Sequence, residues 1–96
     1  MGREIVRVPP GFHHPVDENG EFIVGAHHEA LYYIPGDQKT AFQIYENVSD
    51  GSPVSPIFES LVELSSWLAE QGASPAYIQA LIADGHAPSF VVKTQR

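Results

Sequence analysis

Five histidines are the side chains of this sequence best suited to metal chemistry, and four of them form two adjacent pairs. The pairs are His13 with His14 and His27 with His28, and His86 stands apart. Zinc requires three or four convergent ligands, which the two pairs and a neighbouring acid could supply. Neighbouring side chains on a strand point to opposite faces, so each pair would give one site at most one ligand. Because there is no HExxH motif and no cysteine, we expect surface or hydrogen-bonded histidines and no metal site.

Residues for hydrolytic catalysis lack the local sequences that would activate them. A nucleophilic serine needs a constrained turn such as GxSxG, and the sequence contains none. Ser52, Ser55 and Ser60 are better explained as turn and cap residues. Two carboxylates could converge from anywhere in a fold, as in glycosidases. A chain of 96 residues, however, is too small to form the walls of a deep substrate cleft. We therefore predict a protein that is not an enzyme and needs no cofactor.

Acidic residues dominate the middle of the chain. Between Val8 and Val92 there is a single cation, Lys39, against eleven carboxylates: Asp17, Glu18, Glu21, Glu29, Asp37, Glu46, Asp50, Glu59, Glu63, Glu70 and Asp84. Such a chain repels nucleic acid and attracts basic partners, because like charges sum to a potential that steers ligands of opposite sign. Ordinary solubility is the alternative explanation, since spread carboxylates keep a small protein soluble.

A partner-binding surface is predicted in the less regular first half, where several acids occur near two adjacent tyrosines. Its candidate residues are Asp17, Glu18, Glu21, Glu29, Tyr32, Tyr33 and Asp37. Binding surfaces tend to lie on loops, and an exposed tyrosine among acids suits a contact with a protein. We expect the negative charge to be concentrated on this one side of the molecule. A stacking platform for single-stranded nucleic acid is not favoured, because the cations for phosphate contacts are missing.

Length and composition fit a single domain formed by residues 1–96. Hydrophobic residues make up 43% of the chain and charged residues 18%, which indicates a packed core rather than disorder. The lack of cysteine excludes a disulfide framework and fits a reducing compartment. Residues 1–11 have no apolar centre of the kind a signal peptide needs, and no apolar run approaches the length of a membrane span. We expect a cytoplasmic protein that does not bind membranes.

The first half of the chain, residues 1–40, is predicted to be largely irregular or extended. A strand over residues 4–8 must stop before Pro9 or lie at an edge. The segment 17–20, Asp-Glu-Asn-Gly, is typical of a tight turn and should lead into a short strand over residues 21–24. Residues 29–34 fit a helical turn or a strand.

The second half, residues 41–96, is predicted to form a β-β-α-α-β module. Alternation over residues 41–48 predicts a strand, and residues 54–58 predict a returning strand that Pro53 and Pro56 confine to an edge. A last strand over residues 89–93 is expected to pair with the strand at 41–48.

Two helices of this module have clear start and stop signals. Ser60 and Glu63 match a capping box for the first helix, which Gly72 should end. Ser74 and Pro75 are typical of the start of the second, which should run to Gly85. Trp67 lies at helical spacing from Leu61, Leu64 and Leu68, so it is predicted to be a core residue. The predicted fold is therefore α+β, with a small antiparallel sheet packed against two short C-terminal helices and an irregular N-terminal half.

Motifs near both ends of the chain resemble those of a family of small bacteriophage and prophage proteins that has no established reaction. The N-terminal motifs are Val8-Pro9-Pro10, His14-Pro15 and Asp17-Glu18-Asn19-Gly20. The C-terminal motifs are Ser55-Pro56-Ile57-Phe58, Trp67-Leu68-Ala69 and Ala87-Pro88-Ser89. Between the two sets of motifs, the segment of residues 23–40 is shorter than the corresponding segment of the family.

The resemblance implies a phage origin and a bacterial host cell, and no reaction. Small acidic phage proteins without catalytic residues are often inhibitors of host defence, such as anti-CRISPR or anti-restriction proteins, and some occupy basic nucleic-acid channels. We therefore predict a non-catalytic interaction protein whose partner is a host or phage protein with a basic surface, not nucleic acid itself. The alternatives are a phage structural or assembly factor that acts as a homo-oligomer, such as a homodimer, and a metal-dependent enzyme that uses the histidine pairs.

Overall fold

A four-stranded antiparallel sheet lies at the centre of the fold, and other segments cover both of its faces. The computed structural model describes residues 2–46 and 51–88. In chain order the elements are β1 (Gly2–Val8), α1 (Ala26–Tyr32), a 3₁₀ turn (Gly36–Gln38), β2 (Ala41–Glu46), β3 (Ser52–Phe58), α2 (Leu61–Glu70), α3 (Pro75–Asp84) and β4 (His86–Pro88). The strands lie in the order β3-β2-β1-β4. The predicted α+β class is confirmed.

β1 is an interior strand, and it places the first described residues in the middle of the sheet. It pairs antiparallel with β2, where Ile5 faces Ile44, and with β4 on its other side. The strand ends at Val8 because the two prolines that follow have no N–H to donate to a ladder. The predicted end of this strand is confirmed, and the extended chain predicted for residues 4–8 is an interior strand of the sheet.

The last strand that the structure describes is not a neighbour of β2. β4 joins β1, and β2 is already flanked by β1 on one side and β3 on the other. Residues 89–93, where the sequence predicts the last strand, lie outside the described residues.

β3 is an edge strand, as its prolines predict. Pro53 and Pro56 cannot donate to a ladder, and the pairing of β3 with β2 is irregular at its middle. At this irregularity, hydrogen bonds that involve side chains link the two strands in place of backbone pairs. The Ser55 hydroxyl accepts a hydrogen bond from the N–H of Ile44 at 2.9 Å, and Gln43 Nε2 donates to the Ser55 carbonyl at 2.9 Å.

The two C-terminal helices begin and end where the sequence predicts. The Ser60 hydroxyl accepts from the N–H of Glu63 at 3.2 Å, and the Ser74 hydroxyl accepts from a first-turn N–H of α3 at 3.1 Å. The Glu63 carboxylate accepts from the N–H of Glu59 at 3.1 Å, one residue before the partner that a capping box predicts. α3 ends at Gly85, whose φ of 80° is a left-handed conformation that glycine adopts readily.

Each face of the sheet has its own hydrophobic core. The helical layer, formed by α2 and α3, contributes Leu64, Leu68 and Leu81 to a core that also contains Ile44 and Phe58. Trp67 packs against this core, with its ring centroid 5.8 Å from that of Phe58. The N-terminal layer, residues 9–40, covers the opposite face around Val8, Leu31 and Ala41. Within residues 2–46 and 51–88, no helix has the length and apolarity needed to cross a membrane.

Candidate functional site

The candidate partner-binding residues all lie at the surface of the N-terminal layer. They are Asp17, Glu18 and Glu21 in a turn, Glu29 and Tyr32 on α1, Tyr33 at its C-cap, and Asp37 in the 3₁₀ turn. All seven side chains are exposed. The structure thus brings these residues to one layer, and their role in binding stays a prediction.

A tight hydrogen-bonded turn presents the acids of residues 17–21. Asp17 Oδ1 accepts from the backbone N–H groups of Asn19 at 2.8 Å and Glu21 at 3.0 Å. Gly20 has a φ of 82°, the left-handed conformation expected of glycine in an Asn-Gly turn. Asp17 therefore stabilises the turn, whereas the carboxylates of Glu18 and Glu21 extend from it and are better suited to contact a partner.

Large apolar side chains are exposed beside these acids. Among the described residues, eight large hydrophobic side chains are exposed, and six of them fall within residues 16–33: Val16, Phe22, Ile23, Val24, Tyr32 and Tyr33. The predicted strand over residues 21–24 is reduced to a single bridge between Val16 and Phe22, so three consecutive apolar residues remain at the surface. Exposed apolar patches rimmed by polar residues mark interaction sites.

Negative charge occurs on both outer layers, so the prediction that it lies on one side is wrong. The helical layer exposes Glu63, Glu70 and Asp84. Glu46 is paired with Arg3, whose Nε lies 2.9 Å from the carboxylate. The N-terminal layer exposes more large hydrophobic side chains than the helical layer, which exposes only Leu61 and Val62 among those that the structure describes.

The buried side chain of His14 links the N-terminal layer to the sheet through hydrogen bonds. Its Nε2 lies 2.7 Å from the carbonyl oxygen of Ile23, and its Nδ1 lies 3.0 Å from the hydroxyl of Tyr45 on β2. Because a carbonyl can only accept, Nε2 donates to the Ile23 carbonyl, and we assign the tautomer with its proton on Nε2, in which the Tyr45 hydroxyl donates to Nδ1. Burial raises the pKa of Tyr45 to about 12, so this hydroxyl keeps its proton at neutral pH.

His27 is surrounded by aromatic rings in the same interface. Its ring centroid lies 4.0 Å from that of Tyr45, 4.1 Å from that of His28 and 5.5 Å from that of His14. The side chain is 2% exposed, and within the described part of the chain neither ring nitrogen has a hydrogen-bond partner. Desolvation, together with the charges of His28 and His14, lowers the pKa of His27 to about 4. The ring is therefore neutral at physiological pH and acts as a packing group.

The four histidines considered as metal ligands do not all lie together. The structure brings His14, His27 and His28 together and leaves His13 exposed. The rings of His27 and His28 are in contact, with centroids 4.1 Å apart and planes tilted by 35°. Across residues 2–46 and 51–88, no group of three or more His, Cys, Asp or Glu side chains could hold a metal ion.

The link between His14 and Tyr45 could not be predicted from local sequence. The two residues are 31 positions apart, and Tyr45 is buried only because the N-terminal layer covers that face of β2. One signal was present in the sequence. Strand alternation places Gln43 and Tyr45 on the face opposite Ile44, and two polar groups in one apolar strand require hydrogen-bond partners if that face is covered.

Comparisons with known proteins find no relative of this chain. No protein-family model matches it, no curated protein matches it and no solved structure matches it. The resemblance to phage proteins therefore stays a prediction from sequence motifs. The function has to be argued from the chemistry of the surface.

Proposed function

We propose that this protein is a non-catalytic interaction protein that binds a protein partner with a basic surface through its N-terminal layer. The observation that carries the proposal is the exposure of six large apolar side chains within residues 16–33, on the layer that also exposes Glu18, Glu21 and Glu29. Burial of apolar surface drives most protein association. Aromatic side chains often dominate the binding energy of an interface, and carboxylates select a partner of opposite charge.

Charge and apolar area would act at different stages of binding. The chain has a net charge of −7, which attracts a basic partner over roughly one Debye length, about 8 Å at physiological ionic strength. At contact, Phe22, Tyr32 and Tyr33 offer ring surface that is exposed in the free protein. We therefore assign the rate of association mainly to the acids and the lifetime of the complex mainly to the rings.

The finer proposal is that the partner's basic surface is the nucleic-acid channel of a host defence protein. A polyanion competes with nucleic acid for the same lysine and arginine side chains, which is the chemical support for this class of partner. The resemblance to phage proteins points to host defence. Displacement of labelled nucleic acid from the purified partner measures this competition directly, and unchanged nucleic-acid binding would contradict it.

Two double variants with the same change in net charge test which surface binds. Glu18→Lys with Glu21→Lys alters the N-terminal layer, and Glu70→Lys with Asp84→Lys alters the helical layer. Partners are first recovered from bacterial lysate at low salt, and association with the purified partner is then measured by biolayer interferometry. We expect the first pair to slow association by about tenfold and the second to have a much smaller effect. Equal losses would show that binding depends on net charge alone and would contradict the proposal.

Self-assembly is separated from partner binding by the mass of the protein in solution. A monomer in light scattering leaves the N-terminal layer available to a partner. A stable oligomer that Phe22→Ser dissociates would assign this surface to a second copy of the chain and would favour an assembly role. The same measurement on Val62→Ser, which changes an exposed residue of the helical layer, controls for a general loss of apolar surface.

A further inference from the structure

Tyr32 and Tyr33 form an exposed right-angled corner at the end of α1. Their ring centroids lie 5.0 Å apart and their planes are inclined by 88°. The two residues are 79% and 75% exposed, so most of each ring is in contact with solvent. The core beneath them is formed by other residues, around Leu31 and Ala41. The rings are therefore available to a ligand, and occupying the corner requires no rearrangement of the core.

An acid lies on the same face of the helix as this corner. Side chains three and four positions apart are neighbours on a helix surface, and Glu29 precedes Tyr32 by three positions and Tyr33 by four. Glu29 is exposed as well. The faces of two aromatic rings, which are the negative parts of their quadrupoles, therefore lie on the same side of α1 as one carboxylate.

The end of α1 also contacts a cation from within the chain. Lys39 Nζ lies 3.5 Å from the carbonyl oxygen of Leu31, the residue before Tyr32. This contact puts an ammonium group near the corner, where it would repel a second cation.

We propose that the corner formed by Glu29, Tyr32 and Tyr33 binds the guanidinium group of an arginine side chain. A cation is attracted to an aromatic face within about 6 Å of the ring centroid. A planar guanidinium can stack on one ring while its N–H groups donate to a carboxylate, which a compact ammonium does less well. The inference rests on the proposed function for the source of the arginine, which would be the basic partner. The chemistry of the corner can be tested without that partner.

Short peptides of matched shape test the corner directly. Acetyl-Gly-Arg-Gly-amide is titrated against the full chain, with a citrulline peptide as the neutral isostere and a lysine peptide as the compact cation. The ring signals of Tyr32 and Tyr33 are followed by NMR. We expect saturable shifts with arginine, weaker ones with lysine and none with citrulline. Equal shifts with arginine and citrulline would overturn the inference.

Variants of surface residues then locate the binding site. Tyr32→Ala, Tyr33→Ala and Glu29→Gln should each weaken binding of the arginine peptide by about threefold, while Tyr33→Phe, which keeps the ring face, should retain most of it. Lys39→Gln should strengthen binding because it removes a like charge. Glu70→Gln, which removes an exposed carboxylate of the helical layer, should leave binding unchanged. A loss in Glu70→Gln equal to that in Glu29→Gln would indicate diffuse attraction and would also overturn the inference.

The two proposals can fail separately. If the arginine peptide does not bind at the corner while Glu18→Lys with Glu21→Lys still slows partner association, the proposed function stands and the corner inference fails. If the corner binds arginine and those charge reversals change nothing, the corner stands and the proposed function fails.

Discussion

Among the residues that the structure describes, His27 combines deep burial with a strongly lowered pKa. Its imidazole is buried among aromatic rings, and its pKa in the folded protein is about 4, against an ordinary value of 6.5. Between these two values the unfolded chain binds a proton that the folded chain does not. The free energy of unfolding therefore falls as the pH falls through this window, and above it the ring is neutral in both states.

We expect His27 to lower the free energy of unfolding by on the order of 2 kcal/mol between pH 6.5 and pH 4. Urea unfolding followed by the fluorescence of the single tryptophan, Trp67, measures this change across the window. His27→Phe should flatten the pH dependence, whereas His13→Gln, at an exposed histidine, should preserve it. A pH profile that His27→Phe leaves unaltered would show that the buried imidazole does not control acid stability.

Tyr45 provides a second prediction at the scale of one side chain, because its hydroxyl is the hydrogen-bond partner of a buried nitrogen of His14. Tyr45→Phe keeps the ring and leaves that nitrogen without its donor, so we expect a loss of about 1–3 kcal/mol of unfolding free energy. Tyr33→Phe removes a hydroxyl from an exposed ring and should change stability by less than about 0.5 kcal/mol. Similar effects of the two substitutions in chemical denaturation would contradict the bond between Tyr45 and His14.

At the scale of elements, the end of α3 can be tested with two glycines that differ in backbone conformation. A Cβ at Gly85 or at Gly36 would meet nothing within 4 Å, but only Gly85 of the two has a positive φ, of 80°. Gly85→Ala should therefore cost about 1 kcal/mol through backbone strain alone. Gly36→Ala should be neutral or slightly stabilising. Thermal unfolding followed by circular dichroism compares them, and equal effects would show that the left-handed C-cap is not what stabilises this end of α3.

Elements with local signals could be predicted, and those that depend on distant partners could not. The caps at Ser60 and Ser74 act within one helical turn, so nearby residues are enough to define them. The place of β1 in the sheet depends on pairs such as Arg3 with Glu46, which are 43 positions apart. The candidate site also has features that depend on local sequence and features that depend on distant partners. Exposure of Glu18 and Glu21 follows from their polarity and from the turn, whereas exposure of residues 22–24 follows from a strand that finds almost no partner.

At the scale of the whole molecule, a net charge of −7 should make stability depend on salt. Carboxylates that repel one another are closer in the compact state than in the unfolded chain, and salt screens that repulsion. We expect the Tm at neutral pH to rise by roughly 2–5 °C between about 10 mM and 200 mM NaCl. The rise should vanish near pH 4.9, where the chain is close to its isoelectric point. A fall in Tm with salt would show that attractive pairs such as Arg3 with Glu46 outweigh the repulsion.

The interior position of β1 has a consequence for how the chain reaches this structure. Its outer neighbour is β4, which pairs Gly2 with Pro88 and Glu4 with His86. Contacts between segments so far apart carry a large loop-closure entropy and slow the search for the native topology. On the ribosome, β1 emerges before the other three strands but gains its second neighbour only after the helical layer has been made. Until then one of its edges is open to wrong pairings, so a strand that is made before its three neighbours is among the last to be fully paired.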